Sequence, residues 1–423
     1  MTDVLALSEE RLEAVSRRIV GTLFLTQSLG SAAIINAFTV TPIIAAALAG
    51  TDRVAGLPSS LVYLGQALMA YPMGWMLDRY GRRQGISVAF VIGVMGALVS
   101  LLAVVGSNFT LFLGGSLLFG MMRSGGEQSR YVAAEVSRVS NRARVIGIVV
   151  FAGTAGSIVG PALVSPAAAA ALSLNLPEHA GPFGVASILL TVCAVVIFSL
   201  LRPDPLKIGR QVAELDDAMP VDGVIRERAE AGPIRSVRQI YSSRVPRLAV
   251  IAMVFGQLVM SMLMVITPLH MAHNDHSLGS ISNVIMAHTM GMFGLSWLTG
   301  WLIDRVGRYP VIAGGALLLI SAAIIAPISP LFIPLALALF LLGLGWNFCY
   351  VAGSSLLSDQ LKASERGRAQ GASEMMVAIG AGGGSLLSGV LFDAGGILSV
   401  SGLGLVMALL LLAITIYVAT RRS

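Results

Sequence analysis

Methionine and histidine are concentrated in one short stretch of this chain. Of its 19 Met and 5 His, twelve fall within residues 253–292. Met260 and Met264 are four residues apart, and so are His288 and Met292. On a helix each pair shares a face. Thioether sulfur and imidazole nitrogen together suit a soft ion such as Cu(I). His270, followed by His273, Asp275 and His276, offers an entry point for such an ion. Plainer roles exist for the same residues. Methionine fills gaps in helical cores, and His288 could hydrogen-bond a neighbour such as Asn347.

A second set of candidates consists of charges in apolar surroundings. Arg123 and Glu127 are four apart and able to pair, with Arg130 a further turn on. Glu374 stands in another apolar stretch. In hydrocarbon each such charge costs at least about 2.5–3.5 kcal/mol, which marks it as a functional candidate. Arg123, Glu127 and Glu374 are therefore candidates for proton coupling. The structural alternative makes the first two an ion pair that only joins a gate, and Glu374 a partner for Arg79, Arg82 and Arg83. Nearby, GTAGSIVGP (Gly153 to Pro161) places small residues at helical spacing, as close helix packing also would.

A third pattern is written twice. GWMLDRYGRR runs from Gly74 to Arg83, and GWLIDRVGRY from Gly300 to Tyr309. Asp78 and Asp304 are 226 residues apart, and Arg82 and Arg308 the same. A looser echo links EVSRVSNRARVIG (Glu135 to Gly147) with DQLKASERGRAQG (Asp359 to Gly371), pairing Arg142 with Arg366 at an offset of 224. Two motifs with nearly equal offsets indicate a duplicated half. Gly74 would let its helix approach a neighbour closely. Asp78 would cap the N-terminus of the eleventh apolar span, where free N–H groups and the helix dipole favour an anion. Arg82 would pair with a carboxylate such as Glu135.

The elements that must position these residues follow from composition. Only 12% of the 423 residues are charged against 56% hydrophobic, with a mean hydropathy of +0.83. A soluble chain carries about 25% charge. Twelve apolar spans are expected, at about 19–48, 57–77, 86–105, 108–131, 145–170, 182–201, 247–272, 278–303, 310–328, 331–357, 368–391 and 396–418. The polar stretch 202–246 separates six spans (1–201) from six (247–423) and contains a charge run, RQVAELDDAMPVDGVIRERAEAG. The mixed-charge first eighteen residues do not read as a cleaved signal peptide. Among the 28 Lys and Arg, only Arg53 falls in an outer loop if both termini are cytoplasmic, and Arg123 and Arg130 lie within a span. The net charge of +6 is thus a topology signal and gives no case for nucleic-acid binding.

GWMLDRYGRR, its echo, the later arginine loops and the twelve spans resemble the major facilitator superfamily over the whole chain. The resemblance implies an all-α membrane fold of two six-helix repeats working by alternating access, acting as a monomer in a bacterial inner membrane. It also implies a gate of Gly74, Asp78, Arg79, Arg82, Arg83, Glu135, Asp304, Arg305, Arg308 and Arg366, which closes and releases as charge pairs form and break. Arg123 resembles the fourth-span arginine of proton-coupled antiporters, and GTAGSIVGP the antiporter motif of drug–proton exchangers, without that motif's final glycine pair. MSMLMVITPLHM and AHTMGMFG resemble the CcoA-like copper importers, whose relatives carry riboflavin.

The expected function is therefore secondary transport, with Cu(I) import through Met260, Met264, His288 and Met292 as one substrate reading. Proton-coupled efflux of an organic compound and riboflavin-type import are the alternatives. No cofactor is expected. Cys193 and Cys349 fall inside spans, which excludes a disulfide scaffold, and no Gly-Lys dipeptide exists to form a P-loop. A sensor that signals without flux would call for a long extra domain, and the central loop is too short to be one.

Overall fold

Every described element is a helix, as a chain that must satisfy its backbone inside lipid requires. A computed structural model describes residues 9–138, 141–218, 235–361 and 363–421. Helices α1 (Glu9–Ala49), α2 (Leu57–Tyr80), α3 (Arg82–Val105) and α4 (Phe109–Glu135) fall on the first four expected spans. The first begins ten residues early, because Glu and Arg are good helix formers and extend it outward. The fifth span is broken into α5 (Arg142–Ala162) and α6 (Val164–Ser173). Pro166 has no N–H to donate to Ala162, so the helix is interrupted at Leu163. The sixth span is α7 (Gly181–Leu200), which starts with Pro182 in its first turn, where no partner for an N–H is lost.

The polar segment between the halves is more structured than a plain charge run. It holds α8 (Pro205–Ala218) and α9 (Val237–Ser242), the latter opened by a Ser236/Gln239 capping box. Residues 219–234, which include the second part of the charge run, lie outside the described residues. The seventh span is α10 (Arg244–His273). The eighth is broken into α11 (Leu278–Thr289), a π-helical turn Met290–Gly294, and α12 (Ser296–Val306). The ninth and tenth are α13 (Arg308–Ile325) and α14 (Phe332–Ser358). The last two spans form α15 (Ala363–Thr420), which breaks at Gly395 and Gly396. Eight described helical stretches are long and apolar enough to cross a bilayer, and the last, at 52 residues, is long enough to do so twice.

The chain divides into two compact units. The first comprises the chain up to Ala37, Leu64–Gly106 and Thr110–Arg226; the second Phe38–Tyr63, Ser107–Phe109 and the chain from Glu227. In the first, α3 and α4 cross at Gly96 and Gly115, where an added Cβ would meet the opposite backbone at about 3.0 Å. The Phe112 and Phe119 rings close on Phe183 beside this crossing. In the second, α13 and α14 cross at Gly315 and Gly345, again with backbone 3.0 Å from an added Cβ. Small residues bring helix backbones together where lipid supplies no hydrophobic drive between helices. Buried Thr26, Ser116, Thr267 and Thr415 donate to carbonyls four residues earlier, which satisfies their hydroxyls within the helix.

Candidate functional site

The repeated phrase folds the same way in both units. Gly81 (φ 96°, ψ 162°) and Gly307 (φ 87°, ψ 172°) stand just before α3 and α13, in a conformation that residues with a Cβ rarely adopt. The arginine after each glycine meets a carboxylate at the far end of the next helix but one, Glu135 ending α4 and Asp359 just past α14. Arg82 donates through Nε to Glu135 Oε2 (2.9 Å) and through Nη2 to Oε1 (3.2 Å), a bidentate pair. Arg308 Nε lies 2.9 Å from Asp359 Oδ2, an ion pair whose N–H is not aimed along a hydrogen-bond axis. Arg82 Nη1 also donates to Asp78 Oδ1 at 2.7 Å. Asp78 remains exposed beside a cavity of about 310 Å³ that Gly74, Leu77, Tyr131 and Glu135 also line.

Several expected gate residues do other things. Arg79 lies over the Trp75 ring at 5.5 Å, and its counterpart Arg305 over Trp301 at 5.2 Å. Long cationic side chains held against an aromatic of their own helix anchor a helix end. Arg83 covers Phe198 at 5.1 Å. Asp304 is in no ion pair among the described residues. Gly74 does not serve close packing: an added Cβ there meets nothing within 4 Å, because the residue borders the cavity. The side chain of Arg366 lies outside the described residues.

Two partners had no signal in the sequence. Asp204, just after α7, accepts from the backbone N–H of Arg82 (Oδ1) and Arg83 (Oδ2), each at 3.1 Å, and so caps α3. Glu365, fully buried, takes three bonds from Arg235: backbone N (2.9 Å), Nε (3.0 Å) and Nη2 (2.7 Å). Arg235 Nη2 also donates to the Gln360 carbonyl, and Tyr241 donates to the Ala369 carbonyl. The end of the polar linker is thereby strapped to the start of α15.

In α4, Arg123 Nε donates to Glu127 Oε1 at 3.2 Å, the pairing that their spacing predicts, and both are only half-buried. Arg130 lies over Tyr131 at 4.9 Å. The glycines of GTAGSIVGP pack against α1: an added Cβ at Gly156 would collide with Ser28 O, and one at Gly160 with Ala32 O. Helix packing accounts for them.

The methionines and histidines of the stretch stand in different surroundings. His288 is fully buried and its Nδ1 bonds the Leu339 carbonyl at 2.9 Å, while Nε2 has no hydrogen-bond partner among the described residues. Asn347 is not its partner. It donates to Met292 O (2.6 Å) and Ser296 Oγ (3.0 Å) and accepts from Thr299 Oγ1 (2.5 Å), pinning the π-turn of the eighth span. Met260 is buried in α10 and Met264 half-buried one turn on. The expected entry histidines diverge. His270 and His273 flank the Phe392 ring, His273 lies 3.5 Å from Asp52 at a cavity of about 520 Å³, and His276 bonds Pro330 O at 2.7 Å. Among the described residues no three His, Cys, Asp or Glu side chains group as metal ligands would.

Glu374 is in no ion pair among the described residues; it accepts from the Tyr350 hydroxyl at 2.6 Å. Tyr350 stacks on Trp346, with ring centres 5.1 Å apart and planes 19° from parallel. Phe293 of the π-turn meets Trp346 edge-on at 6.0 Å. Trp346 Nε1 donates to Gln257 Oε1 at 2.7 Å, and Gln257 Nε2 to Ser261 Oγ at 3.2 Å. Four helical segments thus assemble an aromatic row of which the sequence shows only the Trp346–Tyr350 pair, four residues apart on one helix.

Comparison with known proteins agrees with this architecture. The sequence model of the Major Facilitator Superfamily matches residues 23–273 and again 249–423. The uncharacterized MFS-type transporter YdeG of Bacillus subtilis (strain 168) is 33% identical over 413 residues, 97% of this chain and 94% of that protein. The riboflavin transporter RfnT of Brucella anthropi is 27% identical over 364 residues, 86% of each chain. A bacterial homolog of the human lysosomal transporter Spinster, in an inward-facing and unoccupied conformation, shares the fold with a TM-score of 0.68 at 15% identity, covering 96% of this chain and 95% of that one. A D-xylose-proton symporter does so with a TM-score of 0.66 at 14% identity, covering 96% and 97%. The chain belongs to the Major Facilitator Superfamily of membrane transporters.

Proposed function

We propose that this protein is a proton-coupled secondary transporter of a small organic solute of the riboflavin type, working by alternating access in a bacterial inner membrane with both termini cytoplasmic. One observation carries the gating part. The Arg82–Glu135 and Arg308–Asp359 pairs stand at equivalent places after equivalent positive-φ glycines. A charged hydrogen bond such as Arg82–Glu135 is worth about 1.5–3 kcal/mol, enough to hold a state and weak enough to release it. Asp78, tethered by Arg82 yet exposed, is the carboxylate of this phrase that can form and leave contacts as the gate works. Arg123 and Glu127 form the coupling pair, since a half-exposed charge pair in the middle of a span points to contact with water. The solute class follows the riboflavin transporter among the relatives.

A second reading is Cu(I) import. It is favoured by the buried Nε2 of His288, which lacks a hydrogen-bond partner among the described residues, with Met292 one turn further along. Uptake of riboflavin and of radiolabelled copper into proteoliposomes, with and without an imposed pH gradient, separates the two. The expected outcome is gradient-driven riboflavin uptake that Asp78→Asn abolishes while the protein still inserts normally, and no copper uptake sensitive to His288→Ala. Normal uptake by Asp78→Asn sinks the gate. Copper uptake that His288→Ala removes establishes the second reading instead.

A further inference from the structure

Phe293, Trp346 and Tyr350 form a row with a carboxylate at one end, and packing alone does not account for its composition. None of the three rings is buried; all are partly open. Trp346 lies near the middle of α14 and Glu374 about two turns into the eleventh expected span. An exposed carboxylate at that depth is costly against hydrocarbon and is found facing protein or a water-filled cavity. Glu374 therefore marks the side of this unit that solutes reach, and the Tyr350 hydroxyl that donates to it fixes the row on that side.

The row is also preorganised. The Trp346–Gln257–Ser261 chain of bonds sets the rotation of the indole and the orientation of the amide. Phe293 closes one flank edge-on, and Asn347 holds the π-turn that carries it through the Met292 carbonyl. Rings held before a ligand arrives lose little freedom on binding. The Trp346–Tyr350 pair is in contact along its stacked faces, so a ligand ring has to lie on the outer face of the pair.

We infer that this row is a solute site for a planar, fused-ring heteroaromatic molecule bearing N–H or O–H donors, the ring lying on the outer face of the Trp346–Tyr350 stack and the donors directed to Glu374. The inference rests on the transport reading above and adds the residues that hold the solute.

Riboflavin is the probe, and its binding to purified detergent-solubilised protein is measured by equilibrium dialysis, a readout that does not depend on the indole. Trp346→Ala is expected to raise Kd by about tenfold or more, the size of a lost stacking contact. Trp346→Phe, which keeps an aromatic face and guards against misfolding, should stay within about threefold of wild type. Glu374→Gln should weaken binding several-fold, and Trp297→Ala, at a side chain 72% exposed outside the row, should change nothing. Wild-type Kd in a monodisperse Trp346→Ala protein overturns the site. That result leaves the transport reading standing, since uptake and its dependence on Asp78 are measured separately. No binding by the wild-type protein overturns the assignment to fused-ring solutes.

Discussion

At the scale of single residues, the same chemistry has different consequences in different surroundings. Arg82 and Arg235 each hold a carboxylate with two guanidinium nitrogens, but Glu135 is partly open and Glu365 is sealed. Removing a partner from a buried charge leaves that charge without compensation, at a cost of about 3–5 kcal/mol. Arg235→Ala is therefore expected to lower the thermal midpoint of the purified protein clearly more than Arg82→Ala does. Equal shifts would mean that Glu365 finds another partner or takes up a proton. The duplicated Trp–Arg pairs, Trp75–Arg79 and Trp301–Arg305, make the complementary point. A motif arginine can be an anchor in both repeats and still read, by spacing alone, as part of a gate.

At the scale of elements, breaks in the helices position the candidate groups. The turn before α3 requires a positive φ at Gly81, and an added Cβ there would also lie 2.5 Å from Asp204 Oδ2, the carboxylate that caps α3. Gly307 has the same φ with nothing within 4 Å. Backbone strain of about 1–3 kcal/mol applies to both, whereas the clash and the disturbed cap apply only to Gly81. Gly81→Ala should thus destabilise the protein more than Gly307→Ala in a thermal-shift measurement, and the reverse order would show that Asp204 moves aside freely. The π-turn of the eighth span is the second such device. A wider turn changes which side chains face α14, and it brings Phe293 against Trp346 while Asn347 takes up the Met292 carbonyl.

At the scale of the whole molecule, nearly every lysine and arginine lies on one set of loops, with Arg53 the exception outside the spans. That asymmetry predicts the topology directly. A peptide tag placed in the loop after α1 should be reached by antibody on intact spheroplasts. Tags at either terminus, or in the segment 219–234, should be reached only after permeabilisation. A terminal tag accessible in intact spheroplasts would reverse the orientation and move the paired-arginine loops to the other face of the membrane.

Composition and repetition were enough to determine the membrane class, the places of the spans, the duplicated loops and the Arg123–Glu127 pair. Each depends on nearest-neighbour spacing or on hydrophobicity averaged over a window, both of which are properties of the chain itself. The spacing of Met260, Met264, His288 and Met292 was equally visible, but a helical face says nothing about what it faces, and Asn347 proved to serve the π-turn. The Trp346–Tyr350 stack is itself a pair four residues apart on one helix, whereas Asp204 on Arg82 and Arg83, Arg235 on Glu365, and the links of Trp346 to Gln257 and Phe293 and of Tyr350 to Glu374 join residues 24 to 130 positions apart. Only the tertiary structure decided those, because which helices touch, and where each one breaks, is set by packing between segments that no local pattern records.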